Sequence, residues 1–403
     1  MPHDTSLIAT IAAGLSVALI CGLVAMRLRL SPLVGYLLAG VLIGPFTPGV
    51  VADAAIAQQL AEIGVIFLMF GVGLHFSMHD LWAVRSIAVP GAIGQIAVAT
   101  ALGIALSTYW GWPLSNGLVF GLALSVASTV VLLRAFREDN TLYSDNGRIA
   151  VGWLIVEDLV MVFVLVLLPV LAGAPSEPSA LTAVLQLPAN SLAASLLMAA
   201  VEVSALTLLM LVGGRRLFPK LLQLVDKTGS RELFTLAVVV MAVGVAYGSA
   251  KLFGVSFALG AFFAGVVLNG SELSKRVAKK LSPLEDIFAV LFFVAMGMLF
   301  DPGIIVRQPM DVLAALAIVL FGKSIAAALI VLLMRRPLDT ALTVSAGLAQ
   351  IGEFSFILAG MAVALKLLSP AGFNLIIAAA MISILINPLM FRAIRILGQR
   401  LAR

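Results

Sequence analysis

Apolar stretches long enough to cross a membrane recur along almost the whole chain, and they limit its fold more than any other feature. A hydrocarbon layer about 30 Å thick takes roughly 20 consecutive apolar residues as a helix. Inside it every backbone N–H and C=O must be satisfied within the protein, which leaves helices and closed barrels as spanning structures. The runs here are continuous rather than alternating, so they predict helices. They lie near residues 6–26, 31–46, 53–74, 86–108, 113–136, 147–171, 190–213, 232–248, 253–269, 283–300, 308–333, 338–365 and 370–395, an all-α polytopic membrane protein of about thirteen crossings. With 62% hydrophobic residues, 11% charged and a mean hydropathy of +1.15, a chain of 403 residues cannot hide its apolar surface from water otherwise. The first run has no basic n-region or small-residue cleavage site and reads as a retained helix.

The basic residues give an orientation. All but four of the 25 lysines and arginines fall on one face of this layout, three (Lys251, Arg307 and Lys366) fall on the other, and Lys323 lies inside a helix. By the positive-inside rule the C-terminus is cytoplasmic and the N-terminus periplasmic, with the Pro- and Ser-rich loop 172–191 facing outward. The pI near 9.6 therefore reflects topology, and no nucleic-acid partner is expected. Cys21 stands alone, which excludes an internal disulfide, and the three histidines (His3, His75 and His79) form no cluster. The stretch AIVLFGKSIA has the end of a phosphate-binding loop, but Ala317 replaces its first glycine and no strand precedes it. No nucleophile, multidentate metal centre or cofactor constellation is present, so an enzyme is not expected.

The chain also resembles itself. LLAGVLIG (37–44) recurs as FFAGVVLNG (262–270), and EIGVIFLMFGVGLHF (62–76) as DIFAVLFFVAMGMLF (286–300). The two matches pair the second helix with the ninth and the third with the tenth. A displacement of seven helices turns the second copy upside down, the inverted-repeat plan of secondary transporters. One transport domain is thus expected over 1–403, with repeat one near 6–171, a connector helix near 190–213 and repeat two near 232–395.

A charged side chain at the bilayer centre costs about 2.5 to 3.5 kcal/mol on the insertion scale, so one that persists there has a partner or a task. Glu157, Asp158, Lys323 and Glu353 each lie near the middle of an apolar run. Adjacent helical residues differ by about 100° around the axis. One acid of the 157–158 pair can therefore face a neighbouring helix and the other a cavity, and Asp158 is assigned to the cavity. For Glu157 and Lys323 two readings stay open, an ion pair that clamps two helices or one that takes part in coupling. The segments 121–136 and 345–360 are rich in Gly, Ser, Thr and Ala, occupy equivalent places in the two repeats and tolerate unwound backbone at mid-membrane. The alternative for each is close packing through small residues. If they break and cross, Ser125, Ser128, Thr129 and Gln350 line the crossing, and Glu353 with the hydroxyls compensates the exposed helix ends.

SPLVGYLLAGVLIGP, LSVASTVVLLRAF, IVEDLVMV and QIGEFSFILAG, in this order, resemble the membrane domain of Kef-type monovalent cation:proton antiporters, particularly the bacterial Kef-like branch called YbaL. The resemblance runs from about Ser6 to Arg395. It implies a sodium/proton antiporter-like fold with crossed discontinuous helices, a homodimer in the bacterial inner membrane among lipids, and exchange of H+ for K+ or Na+, with K+ preferred. It implies that Asp158 is the cation- and proton-carrying aspartate and that Lys323 faces Glu157. Typical members carry Gln-Asp where this chain has Glu157-Asp158, and they continue into a cytoplasmic nucleotide-binding regulatory domain, whereas this chain ends at LGQRLAR. No cofactor is expected in the chain itself, and a nucleotide only with such a domain. The alternative function is a ligand-gated potassium efflux channel.

Overall fold

The computed structural model describes residues 6–28, 30–48, 53–75, 78–138, 141, 144–172, 192–269, 271 and 273–401. His3, Arg29, Arg403 and nearly all of the predicted 172–191 loop lie outside them. The described residues are helical, without a strand. In order the helices are α1 (Ser6–Arg27), α2 (Pro32–Ile43), α3 (Ala54–His75), α4 (Met78–Tyr109), α5 (Leu114–Ser125), α6 (Thr129–Glu138) and α7 (Asp145–Leu171). After these come α8 (Leu192–Leu208), α9 (Arg215–Asp226), α10 (Arg231–Val239), α11 (Val245–Phe253), α12 (Phe257–Asn269) and α13 (Ser274–Met298). The last are α14 (Ile304–Arg307), α15 (Pro309–Ala317), α16 (Lys323–Leu333), α17 (Leu338–Leu348), α18 (Glu353–Ala364) and α19 (Pro370–Leu401).

Helix occupies each of the thirteen predicted stretches, but length and composition alone qualify eight described helices as spans, or nine with the pair α17 and α18. Four stretches fall short in helix length: α2, α5 and α12 have only 12, 12 and 13 residues, roughly 18–20 Å of helix against a 30 Å layer, and α8 has 17 before its π turn. Helix α4 starts eight residues before its predicted boundary and runs through Pro90, which a membrane helix tolerates. Three single π-helical turns, Leu209–Gly214, Val240–Gly244 and Ile318–Gly322, join α8 to α9, α10 to α11 and α15 to α16. Each ends on glycine, and none was foreseen.

The chain divides into two compact units, one of residues 1–16, 52–76 and 162–295, the other of 17–51, 77–161 and 296–403. In the first, α3 packs on α12 with almost no side chain between them: a Cβ on Gly73 would stand 2.2 Å from the carbonyl oxygen of Phe262, and one on Gly265 2.2 Å from that of Phe70. In the second, a Cβ on Gly297 of α13 would stand 2.1 Å from the carbonyl oxygen of Leu37 on α2. Gly297 and Phe262 follow Gly73 and Leu37 at the displacement of the sequence repeat, so the same glycine-to-carbonyl contact is made once in each unit. Small residues allow this approach where lipid leaves no hydrophobic drive between helices. Glu62 and Asp286 are exposed but lie well inside α3 and α13, whereas Glu202 is buried and Glu285 lies against Gly71 of α3.

Because both opposing atoms are backbone, side-chain adjustment cannot relieve a substitution. Gly73→Val and Gly297→Val are each expected to destabilise the protein by about 1–3 kcal/mol or more, read as a lower melting temperature in detergent. Gly248→Ala, whose Cβ would meet nothing within 4 Å, leaves it unchanged or higher.

Candidate functional site

The second unit contains two interrupted helices. Helix α5 stops at Ser125 and α6 begins at Thr129, with Val126 extended between them. Helix α17 stops at Leu348 and α18 begins at Glu353, the two axes bent by 43°. The breaks touch. The Gly352 N–H donates to the Val126 carbonyl at 3.0 Å, and Gln350 grips Ser128 from both sides, its Oε1 accepting from the Ser128 N–H and its Nε2 donating to the Ser128 carbonyl, each at 3.0 Å. Only glycine fits at 352, since a Cβ there would be 2.4 Å from the Ala127 carbonyl oxygen.

An interrupted helix leaves unbonded carbonyls at one end and N–H groups at the other. Here buried side chains take them up. Gln95 Nε2 donates to the Ser125 carbonyl at 2.9 Å, Asn387 Nδ2 to that of Ala346 at 3.0 Å, and Lys323 Nζ to that of Gln350 at 2.7 Å. On the donor side Ser128 Oγ accepts from Val131 N–H at 3.2 Å, Ser383 Oγ from Ile351 N–H at 3.3 Å, and Glu157 Oε2 from Ala127 N–H at 2.8 Å. The fully buried ammonium of Lys323 therefore sits where helix-end carbonyls gather, and the fully buried carboxylate of Glu157 where N–H groups do. The two charges also attract each other.

Asp158, one residue on, points elsewhere, as the 100° offset requires. Its Oδ2 accepts from the Thr129 hydroxyl at 3.1 Å, while its Oδ1, buried, has no hydrogen-bond partner in the protein. Glu353 opens α18, lies near the Ser128 hydroxyl and Asp158, and likewise has one oxygen, Oε2, without a partner. Buried acceptors are normally satisfied. Glu157 likewise keeps its Oε1 unpartnered, and carboxylates offering unfilled oxygens beside hydroxyl oxygens can take a proton or a hard cation that prefers oxygen. Among the described residues no three His, Cys, Asp or Glu side chains converge as a multidentate metal centre.

All eight residues singled out from the sequence lie at this junction. Ser125 takes part through its carbonyl, for its hydroxyl bonds back to Leu122 at 2.7 Å. The sequence reading missed Gln95, Asn387 and Ser383, and also Trp153, whose Nε1 reaches Gln95 Oε1 at 3.5 Å. Gln95 and Asn387 were visible as lone amides within apolar runs. Removing the grip of Gln350 orphans a buried N–H and a buried C=O at about 1–3 kcal/mol each. Gln350→Ala is therefore expected to lower the melting temperature and to speed amide exchange at Ala127 and Ser128; unchanged exchange would count against this account of the junction.

Over residues 15–396 the chain matches the family described as "Sodium/hydrogen exchanger, transmembrane". It is 59% identical over 391 residues to the protein named "Putative cation/proton antiporter YbaL" of Escherichia coli (strain K12), covering 97% of this chain and 69% of that one. It is 34% identical over 377 residues to K(+) efflux antiporter 4 of Arabidopsis thaliana, with 93% of this chain and 62% of the relative covered. Among solved structures, the sodium proton antiporter MjNhaP1 from Methanocaldococcus jannaschii, at pH 8, shares the fold with a TM-score of 0.67 over 95% of each chain, at 17% identity. These are transporters, not enzymes. A match through almost the whole length, on a backbone shared with a solved antiporter, places the chain by descent as well as by shape: it belongs to the transmembrane sodium/hydrogen exchanger family and is a multi-pass membrane protein of the cation/proton antiporter class.

Proposed function

We propose that this chain exchanges a monovalent cation, K+ in preference to Na+, for protons by alternating access, with Asp158 holding either cargo. The observation behind this is the Asp158 carboxylate at the junction of two broken helices, tethered by Thr129 through one oxygen and open at the other. Burial disfavours the bare charge, so a proton and a cation compete to neutralise it. If only the neutralised site passes between facing states, the two cargoes travel in opposite directions. The repeated glycine-to-carbonyl contact supports an inverted-repeat origin for two such states. The name of the Arabidopsis relative favours potassium. The native setting is a homodimer in the bacterial inner membrane, with the N-terminus periplasmic and the C-terminus cytoplasmic.

Glu157 and Lys323 add a second step. An entering cation draws Glu157 away from Lys323, and the unpaired buried ammonium gives up a proton, which makes exchange electrogenic. Their hydrogen bonds to Ala127 and Gln350 place both groups on the backbone of the two breaks, where cargo entry would be felt.

Proteoliposome proton flux with each alkali cation in turn is expected to show exchange driven best by K+. Asp158→Asn reduces it to the level of protein-free vesicles while leaving the melting temperature intact; retained exchange would refute the role of Asp158. Under an imposed membrane potential the wild-type rate follows the potential. Indifference to it would eliminate the step through Lys323, and current at fixed pH without proton counterflow would favour a channel instead.

A further inference from the structure

In the first unit, where α10 and α13 begin, lies a cavity of about 710 Å3. It is lined by Arg231 and Thr235 of α10 and by Arg276, Lys279, Lys280, Pro283 and Leu284 of α13, none of these described residues being acidic. Its cations are not all loose. Arg276 is ion-paired with Asp226 at the end of α9, and its guanidinium stands 4.4 Å from the centre of the Phe234 ring, so this side chain is fixed in place. Arg231 and Lys279 are exposed and Lys280 half-buried, which leaves them free to meet an anion. Ser230 caps α10 by accepting from the Leu233 N–H at 3.2 Å, so the positive end of that helix opens on the same side.

What distinguishes the cavity from an ordinary basic surface is the helix stripe beneath it. Residues at i, i+4, i+7 and i+11 share one face of a helix, and on α13 these are Arg276, Lys280, Pro283 and Ile287. The stripe changes from cationic to apolar over roughly 16 Å, and Ile287 at its lower end is 47% exposed. A soluble anion would use only the upper half. An amphiphile lying along the stripe uses all of it, with a phosphate among the cations and a hydrocarbon chain against Pro283 and Ile287. We propose that this cavity binds the phosphodiester headgroup of an anionic membrane lipid, at a place separate from the Asp158 junction. Basic pockets between membrane helices at the charged side of a bilayer are suited to such headgroups.

Thermal unfolding of the detergent-solubilised full chain tests this, with dioctanoyl phosphatidylglycerol, dioctanoyl phosphatidylcholine or inorganic phosphate added separately. Phosphatidylglycerol is expected to raise the melting temperature, and the other two to leave it unchanged. In Lys279→Gln/Lys280→Gln the apparent affinity falls about 30-fold, the equivalent of two interfacial cations. Should that variant fail to fold, Arg231→Gln on the other helix reports a loss of about 5-fold. Arg215→Gln/Arg216→Gln, which removes an equal charge from α9 outside the cavity, keeps wild-type affinity. Equal stabilisation by inorganic phosphate or phosphatidylcholine, equal loss in the two double variants, or no response to the lipid overturns the assignment.

Discussion

The reciprocal pair of hydrogen bonds between Gln350 and the Ser128 backbone is the contact on which the rest of the second unit depends. In hydrocarbon no water can satisfy a freed N–H or C=O, so an interrupted helix survives there only if protein supplies the missing partner. Gln350 does so for a residue on the other broken helix, and Gly352 adds a direct backbone bond to Val126. Each interruption is thus the condition for the other. Helical breaks elsewhere in an apolar chain would cost several kcal/mol per unsatisfied group.

Once the breaks exist, the distribution of charge follows. The Gln350 carbonyl beyond the end of α17 takes Lys323, while the buried N–H of Ala127 takes Glu157. Each of these two charges is held by backbone. That leaves Asp158 as the acid with a neutral tether, a hydroxyl from Thr129, and its interactions with Glu353 and Glu157 are repulsive for an ionised carboxylate. Glu157 and Asp158 each keep one buried oxygen without a partner, but Glu157 is anchored through the other to backbone whereas Asp158 is held only by a hydroxyl, the looser hold that a reversible binding step requires.

Much of this was legible in the residues. The apolar runs gave the helices, the paired acids and Lys323 stood out because charge at that depth is costly, and Gln350 stood inside a stretch poor in large side chains. Other parts left weaker traces. Gln95 and Asn387 look ordinary in a sequence, because a single amide in an apolar run is as compatible with a lipid-facing edge as with a cap on a carbonyl across the bundle. The three π turns were illegible: a π turn differs from its α neighbours by one hydrogen-bond register, and no residue pattern marks that beyond a glycine at its end. The early start of α4 was hidden because its first turns, Met78 to Arg85, are polar enough to read as a loop.

The repeat-related seams at Gly73 and Gly297, where glycine meets a carbonyl oxygen, have a mechanical corollary. Interlocked side chains can yield gradually, since torsional hops let one surface creep over another. Bare polypeptide pressed on bare polypeptide has no such slack, so each of these seams behaves as a stiff splice that stays shut or parts along its whole length. Any deformation of the protein is then carried by the segments lying between the splices rather than by the splices themselves.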